Sequence, residues 1–398
     1  MYFTRIFLPL ALGYAVSYFF RNANAIIEGD LVKEISLGPA DLGLLTSVYF
    51  LSFSAFQLPL GFFLDRYGPR RTESFLMLFA ALGAFIFSQS DSLSGLIVGR
   101  LLIGFGVSAC LMGAFKAYVI WFPTKKLSLI NGLQMVAGGI GALVATIPLQ
   151  NALLTTGWRG IFVGLAIISI FTSLCIWFFL PKQKFGNEKN HLFKLQLKEM
   201  GQVFRSLMFW GIAPLTAISS SSHLAIQGLW IKPWLRDVVG VSQENASELL
   251  FAMTLALIAG FLILGILAER LSNIFSVDPI KISVYGMIFY MFLQLVMVYG
   301  YVRSPLFLVI LLGFFGSSSI LVYAGYALKF PKNLSGRVST MLNFLVFFGA
   351  FLLQWGIGII IQMWPTVGLG YDPKSYTAAI GLLVFLQVLG LIWYFFSL

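Results

Sequence analysis

Two arginines and one histidine lie inside long apolar runs, where ionisable side chains are rare. Arg21 and Arg100 each lie about seven residues inside the end of such a run, roughly 10 Å deep at the rise of a helix, and His223 lies in a third run. Charges in apolar surroundings are costly unless they are solvated or paired, so they mark binding sites or ion paths. Two guanidiniums at one depth offer forked donors that match a carboxylate or a phosphate. The sequence therefore predicts an anion site that includes Arg21 and Arg100.

Aromatic and polar residues follow the helical repeat around these groups. Tyr14, Tyr18 and Arg21 are spaced i, i+4, i+7 and share one helix face, and a second face carries Ser220, His223, Gln227 and Trp230. Such faces usually line a wet cavity in a membrane span. We therefore predict that the substrate is contacted by Arg21, Arg100, Tyr14, Tyr18, His223, Gln227 and Trp230.

The acidic residues are distributed differently from these bases. All fifteen Asp and Glu residues fall in loops or near the ends of apolar runs, with Glu28 and Glu73 closest to a membrane interior. No buried acid is evident, so His223 and Glu28 are the candidate proton-coupling residues, because histidine can titrate near neutral pH. A neutral His223 bonded to a backbone carbonyl is the alternative. Lys116 points almost opposite to Arg100 around its helix and is expected to extend to the membrane interface.

Composition places these residues in a membrane protein. Of 398 residues, 59% are hydrophobic and only 10% are charged, whereas soluble domains carry about 25% charged residues. The net charge of +11 comes from bases scattered between apolar runs, which is typical of a topology signal and not of a nucleic-acid surface. No nucleotide-binding loop, catalytic triad or metal-ligand cluster stands out. We expect an all-α polytopic membrane protein that is not an enzyme and uses no cofactor, no metal and no nucleic acid.

Twelve runs are long enough to span a bilayer, which takes about 20 apolar residues. They are 6–27, 41–64, 73–90, 95–121, 127–149, 159–180, 206–230, 246–268, 281–300, 304–328, 336–363 and 376–397. A lysine-rich stretch divides them into an N-terminal six-helix bundle (1–180), a cytoplasmic linker (181–205) and a C-terminal six-helix bundle (206–398). Most Lys and Arg residues lie on the side of the termini, so both termini are predicted in the cytoplasm.

A glycine, acid and arginine pattern follows the second run and is partly repeated after the eighth. The first copy consists of Gly61, Asp65, Arg66, Gly68, Arg70 and Arg71, and the second keeps Gly265, Glu269 and Arg270 at an offset of 204. With the span count and the linker, this pattern resembles the major facilitator superfamily over the whole chain, and Arg100 with Gly104 resembles that family's second motif. The resemblance implies two parallel six-helix halves and alternating access.

The resemblance also implies a gating role for the pattern after the second run. Asp65 would accept amide donors at the start of the eleventh span, near Ser335, and Gly68 would form a tight turn. Glu269 and Arg270 would act in the second half. Topology signalling by Arg66, Arg70 and Arg71 is the alternative. For Arg100, a structural hydrogen bond to neighbouring backbone is the alternative to substrate contact.

These observations predict a secondary active transporter for a small organic anion, such as a carboxylate or phosphate compound or a carboxylate siderophore. The run Tyr18-Phe-Phe-Arg21-Asn22 resembles the first helix of organophosphate:phosphate antiporters, where an arginine contacts phosphate. We expect a monomer in the cytoplasmic (inner) membrane, with protons and membrane lipids as further partners. A multidrug/proton efflux antiporter remains an alternative, which should need an embedded acid. A non-transporting receptor or lipid-handling protein is the alternative from another class.

Overall fold

A computed structural model describes residues 3–182, 191–300, 302–331, 334–367 and 370–397 of the chain. It is almost entirely helical, with one two-residue strand pair. Contacts divide the chain into two compact units. The first comprises Met1–Leu37 and Val48–Leu195, and the second comprises Gly38–Ser47 and Gln196–Leu398. The predicted boundaries at 180 and 206 remain a prediction.

Six helices lie wholly or mainly in the first unit. A π-helical turn at Phe3–Phe7 leads into the first of them, and the helices are α1 (Leu8–Ile35), α2 (Pro39–Gln89), α3 (Leu93–Val107), α4 (Cys110–Trp121), α5 (Thr124–Val144) and α6 (Ile147–Phe179). The next helix, α7 (His191–Phe204), lies within the predicted linker. Residues 183–190 of that linker lie outside the described residues.

The second unit continues with helices of very different lengths. They are α8 (Leu207–Ala225), a π-helical turn (Ile226–Trp230), α9 (Ile231–Asp237), α10 (Gln243–Phe275), α11 (Pro279–Tyr299), α12 (Pro305–Gly316), a 3₁₀ turn (Ser318–Ile320), α13 (Leu321–Lys329), α14 (Ser335–Gln362) and α15 (Pro373–Phe396). Before α15, β1 (Thr366–Val367) pairs antiparallel with β2 (Gly370–Tyr371).

Two glycines turn the chain inside what would otherwise be continuous helices. Gly68 in α2 has φ 77° and ψ 165°, and Gly157 in α6 has φ 64° and ψ 170°. Glycine reaches positive φ without the steric cost that a Cβ imposes. The tight turn predicted at Gly68 is therefore present, and it separates the predicted runs 41–64 and 73–90. Gly157 likewise lies between the predicted runs 127–149 and 159–180.

The helices of the described residues are apolar enough for a multi-pass membrane protein. Nine helical stretches of the described residues are long and apolar enough to cross a bilayer, two of which join consecutive α-helices (α3 with α4, and α12 with the start of α13), and α2 contains two of the predicted runs within one such stretch. The twelve-span topology and the cytoplasmic location of both termini remain predictions.

Small residues bring α2 and α3 close together beside the predicted anion site. A Cβ added at Gly83 would lie 2.6 Å from the Gly99 carbonyl oxygen, and one at Gly99 would lie 2.8 Å from the Gly83 oxygen. Small residues allow such backbone approach between membrane helices. The contact fixes the position of Arg100, which directly follows Gly99 in α3.

The short connection between α10 and α11 is held by an acidic cap. The Asp278 carboxylate accepts a hydrogen bond from the Ile280 amide at 2.9 Å and lies 2.9 Å from the Lys329 ammonium group. Partial burial alone would raise the pKa of Asp278, but the hydrogen bond and charge of Lys329, together with the Ile280 amide, leave it below its usual value. The carboxylate therefore stabilises the start of α11 in its charged form.

Candidate functional site

Arg21 of α1 lies among aromatic side chains of α1 and α2. Its side chain is only 8% exposed. The guanidinium carbon lies 4.4 Å from the centre of the Tyr18 ring and 5.8 Å from the centre of the Phe53 ring. An arginine over an aromatic face is held by the ring quadrupole while its N–H groups at the edge stay able to donate. The pocket can therefore orient a charged donor without neutralising it.

The predicted tyrosines lie next to Arg21. Tyr14 and Tyr18 pack edge to face with ring centres 4.9 Å apart, and their hydroxyl oxygens are 3.4 Å apart. Gly138 of α5 makes room for this pair, since a Cβ there would lie 2.5 Å from the Tyr14 ring and 3.0 Å from the Tyr18 ring. The structure thus brings together Tyr14, Tyr18 and Arg21, as their spacing predicts.

Arg100 contacts the backbone of α1 one residue before Arg21. Its guanidinium donates a hydrogen bond of 2.9 Å to the Phe20 carbonyl, and its guanidinium carbon lies 5.2 Å from the centre of the Tyr49 ring. The side chain is fully buried. This is the structural hydrogen bond that the sequence left open as the alternative to substrate contact. Its effect is to tie α3 to α1 at the position of Arg21.

The second unit carries its own polar cluster where α8 ends. His223 is 5% exposed, and its ring packs edge to face against Tyr290 with centres 5.6 Å apart. Gly316 of α12 makes room for the imidazole. Gln227, one turn further on, donates to the Thr254 hydroxyl at 3.4 Å.

A π-helical turn changes the register of the predicted face in this unit. It spans Ile226–Trp230 and adds a residue to one turn between His223 and Trp230. The Trp230 indole donates a hydrogen bond of 2.9 Å to the Gln354 carbonyl. Turns of this kind are frequent at functional sites. His223, Gln227 and Trp230 all remain buried here, and the two His223 nitrogens have no hydrogen-bond partner among the described residues.

The expectation that no acid is buried is wrong. Glu73 is completely buried in α2, and Glu28 in α1 is 2% exposed. Glu73 lies five residues beyond the turn at Gly68, so hydropathy places it at the edge of a run. Neighbouring helices nevertheless cover it fully. Its burial depends on Gly13 and Gly113 in two other runs, whose missing side chains leave room for its carboxyl group, and no sequence signal links these glycines to Glu73.

The predicted gating residues divide into paired and exposed groups. Asp65 forms an ion pair with Lys116 of α4, so the expectation that Lys116 simply extends to the interface misses its partner. Arg70 donates a hydrogen bond of 2.7 Å to the Trp177 carbonyl and stacks on the Trp177 ring. The exposed group consists of Arg66 and Arg71 in the first unit and, separately, Glu269 and Arg270 in α10 of the second unit. The gating role of these residues remains a prediction.

Metal chemistry finds no support in the part of the chain that the structure describes. There, no group of three or more His, Cys, Asp or Glu side chains is arranged to hold a metal ion. The polar groups of the two clusters are the buried Arg21 guanidinium beside tyrosines in the first unit, and the His223 imidazole, the Gln227 amide and the Trp230 indole in the second unit.

Known proteins with similar sequences are membrane transporters. The "Probable L-galactonate transporter" of Escherichia coli (strain K12) is 26% identical over 290 residues, which cover 67% of this chain and 62% of that protein. The "Hexuronate transporter" of the same organism is 24% identical over 273 residues, covering 64% of this chain and 63% of that protein. The chain thus spans less than two thirds of the length of these relatives.

A solved structure and a family model agree with the fold. The bacterial homologue of the human lysosomal transporter Spinster, in its inward-facing unoccupied conformation, aligns with a TM-score of 0.76 at 17% identity and covers all of this chain and 97% of that one. The model of the Major Facilitator Superfamily matches residues 10–354. Because this match covers most of the chain, the protein belongs to the major facilitator superfamily.

Proposed function

We propose that the protein is a secondary active transporter that moves a small organic anion across the cytoplasmic membrane by alternating access, coupled to protons. The observation that carries the proposal is the buried guanidinium of Arg21 between Tyr18 and Phe53. A guanidinium inside a membrane span is a candidate substrate ligand, because its forked N–H groups match the two oxygens of a carboxylate.

Sugar acids are the substrate class that this pocket suits best. A sugar acid joins one carboxylate to several hydroxyl groups. Arg21 offers the forked donor for the carboxylate, and the Tyr14 and Tyr18 hydroxyls can donate to or accept from the alcohols. The names of the two relatives, galactonate and hexuronate transporters, support the same class. A phosphate compound or a carboxylate siderophore would use the same fork.

Arg100 acts on this pocket indirectly in our proposal. Its bond to the Phe20 carbonyl fixes the α1 backbone next to Arg21. In the second unit, His223, Gln227 and Trp230 are proposed as further substrate contacts, and His223 and Glu28 as proton-coupling residues. Glu28 is buried and interacts with a neighbouring group, which is compatible with a charge that changes during transport.

One observation favours a second candidate function. A multidrug/proton antiporter for cations needs an embedded acid, and the burial of Glu73 and Glu28 supplies two. This candidate predicts transport of a cationic dye in exchange for protons. The first candidate predicts uptake of an anion together with protons.

Transport assays on purified protein in proteoliposomes distinguish the candidates. Labelled L-galactonate, glucuronate and glucose 6-phosphate serve as anions, and ethidium serves as the cation. We expect accumulation of a sugar acid when a proton gradient is imposed, and none in liposomes that hold Arg21→Ala protein. Proton-driven movement of ethidium with no anion transport would establish the antiporter instead. Specific binding with no transport of any compound would favour a receptor.

A further inference from the structure

The completely buried acid of the first unit has no role in the anion pocket. Glu73 lies in α2 five residues after the turn at Gly68, roughly 8 Å along the helix. Its side chain has no solvent exposure. Glu28 of α1 is also buried, but it interacts with a neighbouring group, and Glu73 differs from it in this respect.

The Glu73 carboxyl group occupies a slot formed by glycines on two other helices. A Cβ added at Gly13 of α1 would lie 3.0 Å from Oε1, and one added at Gly113 of α4 would lie 2.6 Å from Oε2. Thr172 and Ile176 of α6 lie near Gly13 at the same place, and Leu64 of α2 lies near Gly113. A side chain at Gly113 would require the carboxyl group to move, so the present position of the carboxyl group depends on the missing Cβ.

No described residue donates a hydrogen bond to this carboxyl group. Both of its oxygens are buried and unpartnered among the residues that the structure describes. The titratable groups that face it are Cys110 and Tyr118, both on α4 and both neutral near pH 7. The other atoms nearest to a Cβ at Gly13 are the methyl groups of Thr172 and Ile176, neither of which titrates. The nearest base along α4, Lys116, is engaged with Asp65.

Such a slot tolerates one protonation state much better than the other. An ionised carboxylate here would be a buried charge with neither a counter-charge nor a donor, which is costly. A protonated carboxyl is neutral and fits the same space. Packing alone does not require an ionisable side chain, because glutamine has the same shape and would also fill the slot.

We propose that Glu73 is a binding site for the coupling proton. The neutral carboxylic acid holds one proton while the slot is closed. When α1, α4 and α6 separate enough to admit water, the O–H bond breaks, the proton passes to water and a solvated carboxylate remains. Closing the slot again requires a proton to be taken up. This inference rests on the proposed transport function and names the residue that couples it to protons.

Two variants separate proton binding from packing. Glu73→Gln keeps the shape and remains neutral, and Glu73→Asp keeps the acid with a shorter side chain. The exposed acid Glu248 of α10 supplies the matched control Glu248→Gln. Each protein is reconstituted with a pH-sensitive dye inside the liposomes. Accumulation of L-galactonate and glucuronate against a gradient, proton movement, and counterflow of labelled against unlabelled substrate are measured.

We expect Glu73→Gln to lose accumulation and substrate-linked proton movement while it keeps counterflow, because exchange needs no net proton transfer. Glu73→Asp should keep some accumulation with a changed pH profile, and Glu248→Gln should behave as wild type. Wild-type accumulation in Glu73→Gln would overturn the proposal and leave the transport function standing. Loss of counterflow in both Glu73 variants would also overturn it, because the residue would then be structural.

Infrared spectroscopy tests the protonation state without any substrate. A protonated carboxyl in an apolar slot gives a carbonyl stretching band that a carboxylate lacks. We expect this band at neutral pH in wild type and its absence in Glu73→Gln. An identical spectrum in both proteins would overturn the inference. Failure of the proposed function appears separately, as wild-type protein that accumulates neither sugar acid in a proton gradient.

Discussion

Replacing Arg21 with lysine tests the anion pocket more sharply than removing it, because the positive charge is kept. Lysine is a point donor on a flexible chain and cannot make two parallel hydrogen bonds to a carboxylate. It can still lie over the Tyr18 ring, so the aromatic contact at 4.4 Å is largely preserved. The variant therefore measures the contribution of the two parallel guanidinium hydrogen bonds separately from the contribution of the positive charge.

The size of the effect follows from the burial of the side chain. An exposed ion pair contributes about 0–1 kcal/mol, but Arg21 is only 8% exposed, so its contacts are largely desolvated. Losing one hydrogen bond to a charged group costs about 1.5–3 kcal/mol, which weakens binding by about tenfold to 150-fold. Arg21→Ala also loses the charge, at roughly 2–5 kcal/mol, and should bind more weakly still.

Equilibrium binding of labelled L-galactonate and glucuronate to purified protein measures this series. Arg5→Lys, at an exposed position, is the matched control and should bind as wild type. The expected order of affinity is wild type, then Arg21→Lys, then Arg21→Ala. Wild-type affinity in correctly folded Arg21→Ala would refute the anion pocket, and wild-type affinity in Arg21→Lys would show that the forked geometry of the donor is irrelevant.

Three further predictions concern gating, coupling and the pH dependence of stability. Asp65→Asn removes the charge that pairs with Lys116, and if this charge also stabilises a helix end by about 0.3–2 kcal/mol it should shift the conformational balance toward inward-open by up to about 30-fold; unchanged labelling of cysteines on both faces would contradict this. His223→Ala should abolish the pH dependence of transport but spare counterflow if His223 carries a proton, whereas loss of counterflow would make it a ligand. Asp278 has a lowered pKa, so its contribution to stability is present above the usual Asp pKa of about 3.9 and is lost as pH falls through the folded value. Thermal unfolding of Asp278→Asn should therefore lose less stability than wild type between neutral and acid pH, and parallel profiles would refute the assignment.

The turns of the first unit show what sequence can and cannot predict. The turn at Gly68 was predictable because a glycine stands between two apolar runs within a recognisable pattern. The turn at Gly157 lies between two runs as well, but helix continues through Ile147 to Thr156 after the predicted run ends at 149. Hydropathy identifies only the apolar part of a helix. The helix continues through polar residues such as Gln150 and Asn151, which a hydropathy count does not include.

The polar face of the second unit was only partly predictable for a different reason. A spacing of three, four and seven residues identifies one face only while the helix keeps 3.6 residues per turn. The π-helical turn at Ile226–Trp230 breaks that assumption between His223 and Trp230. At its end, the Trp230 indole donates to the Gln354 carbonyl, a partner 124 residues away. Local spacing carries no information about such a distant contact.

Glu73 shows how the missed acid changes the argument about coupling. By position it is a residue near the end of a run, where a solvated carboxylate is unremarkable. Its burial depends on Gly13 and Gly113, which belong to other helices and allow α1 and α4 to close over it. Motif analysis cannot find this site, because the site depends on the missing side chains of two distant glycines and not on a characteristic residue type. The anion pocket is recognisable from the charge of Arg21, whereas the proton site requires knowing which helices pack together, and only the three-dimensional structure supplies that.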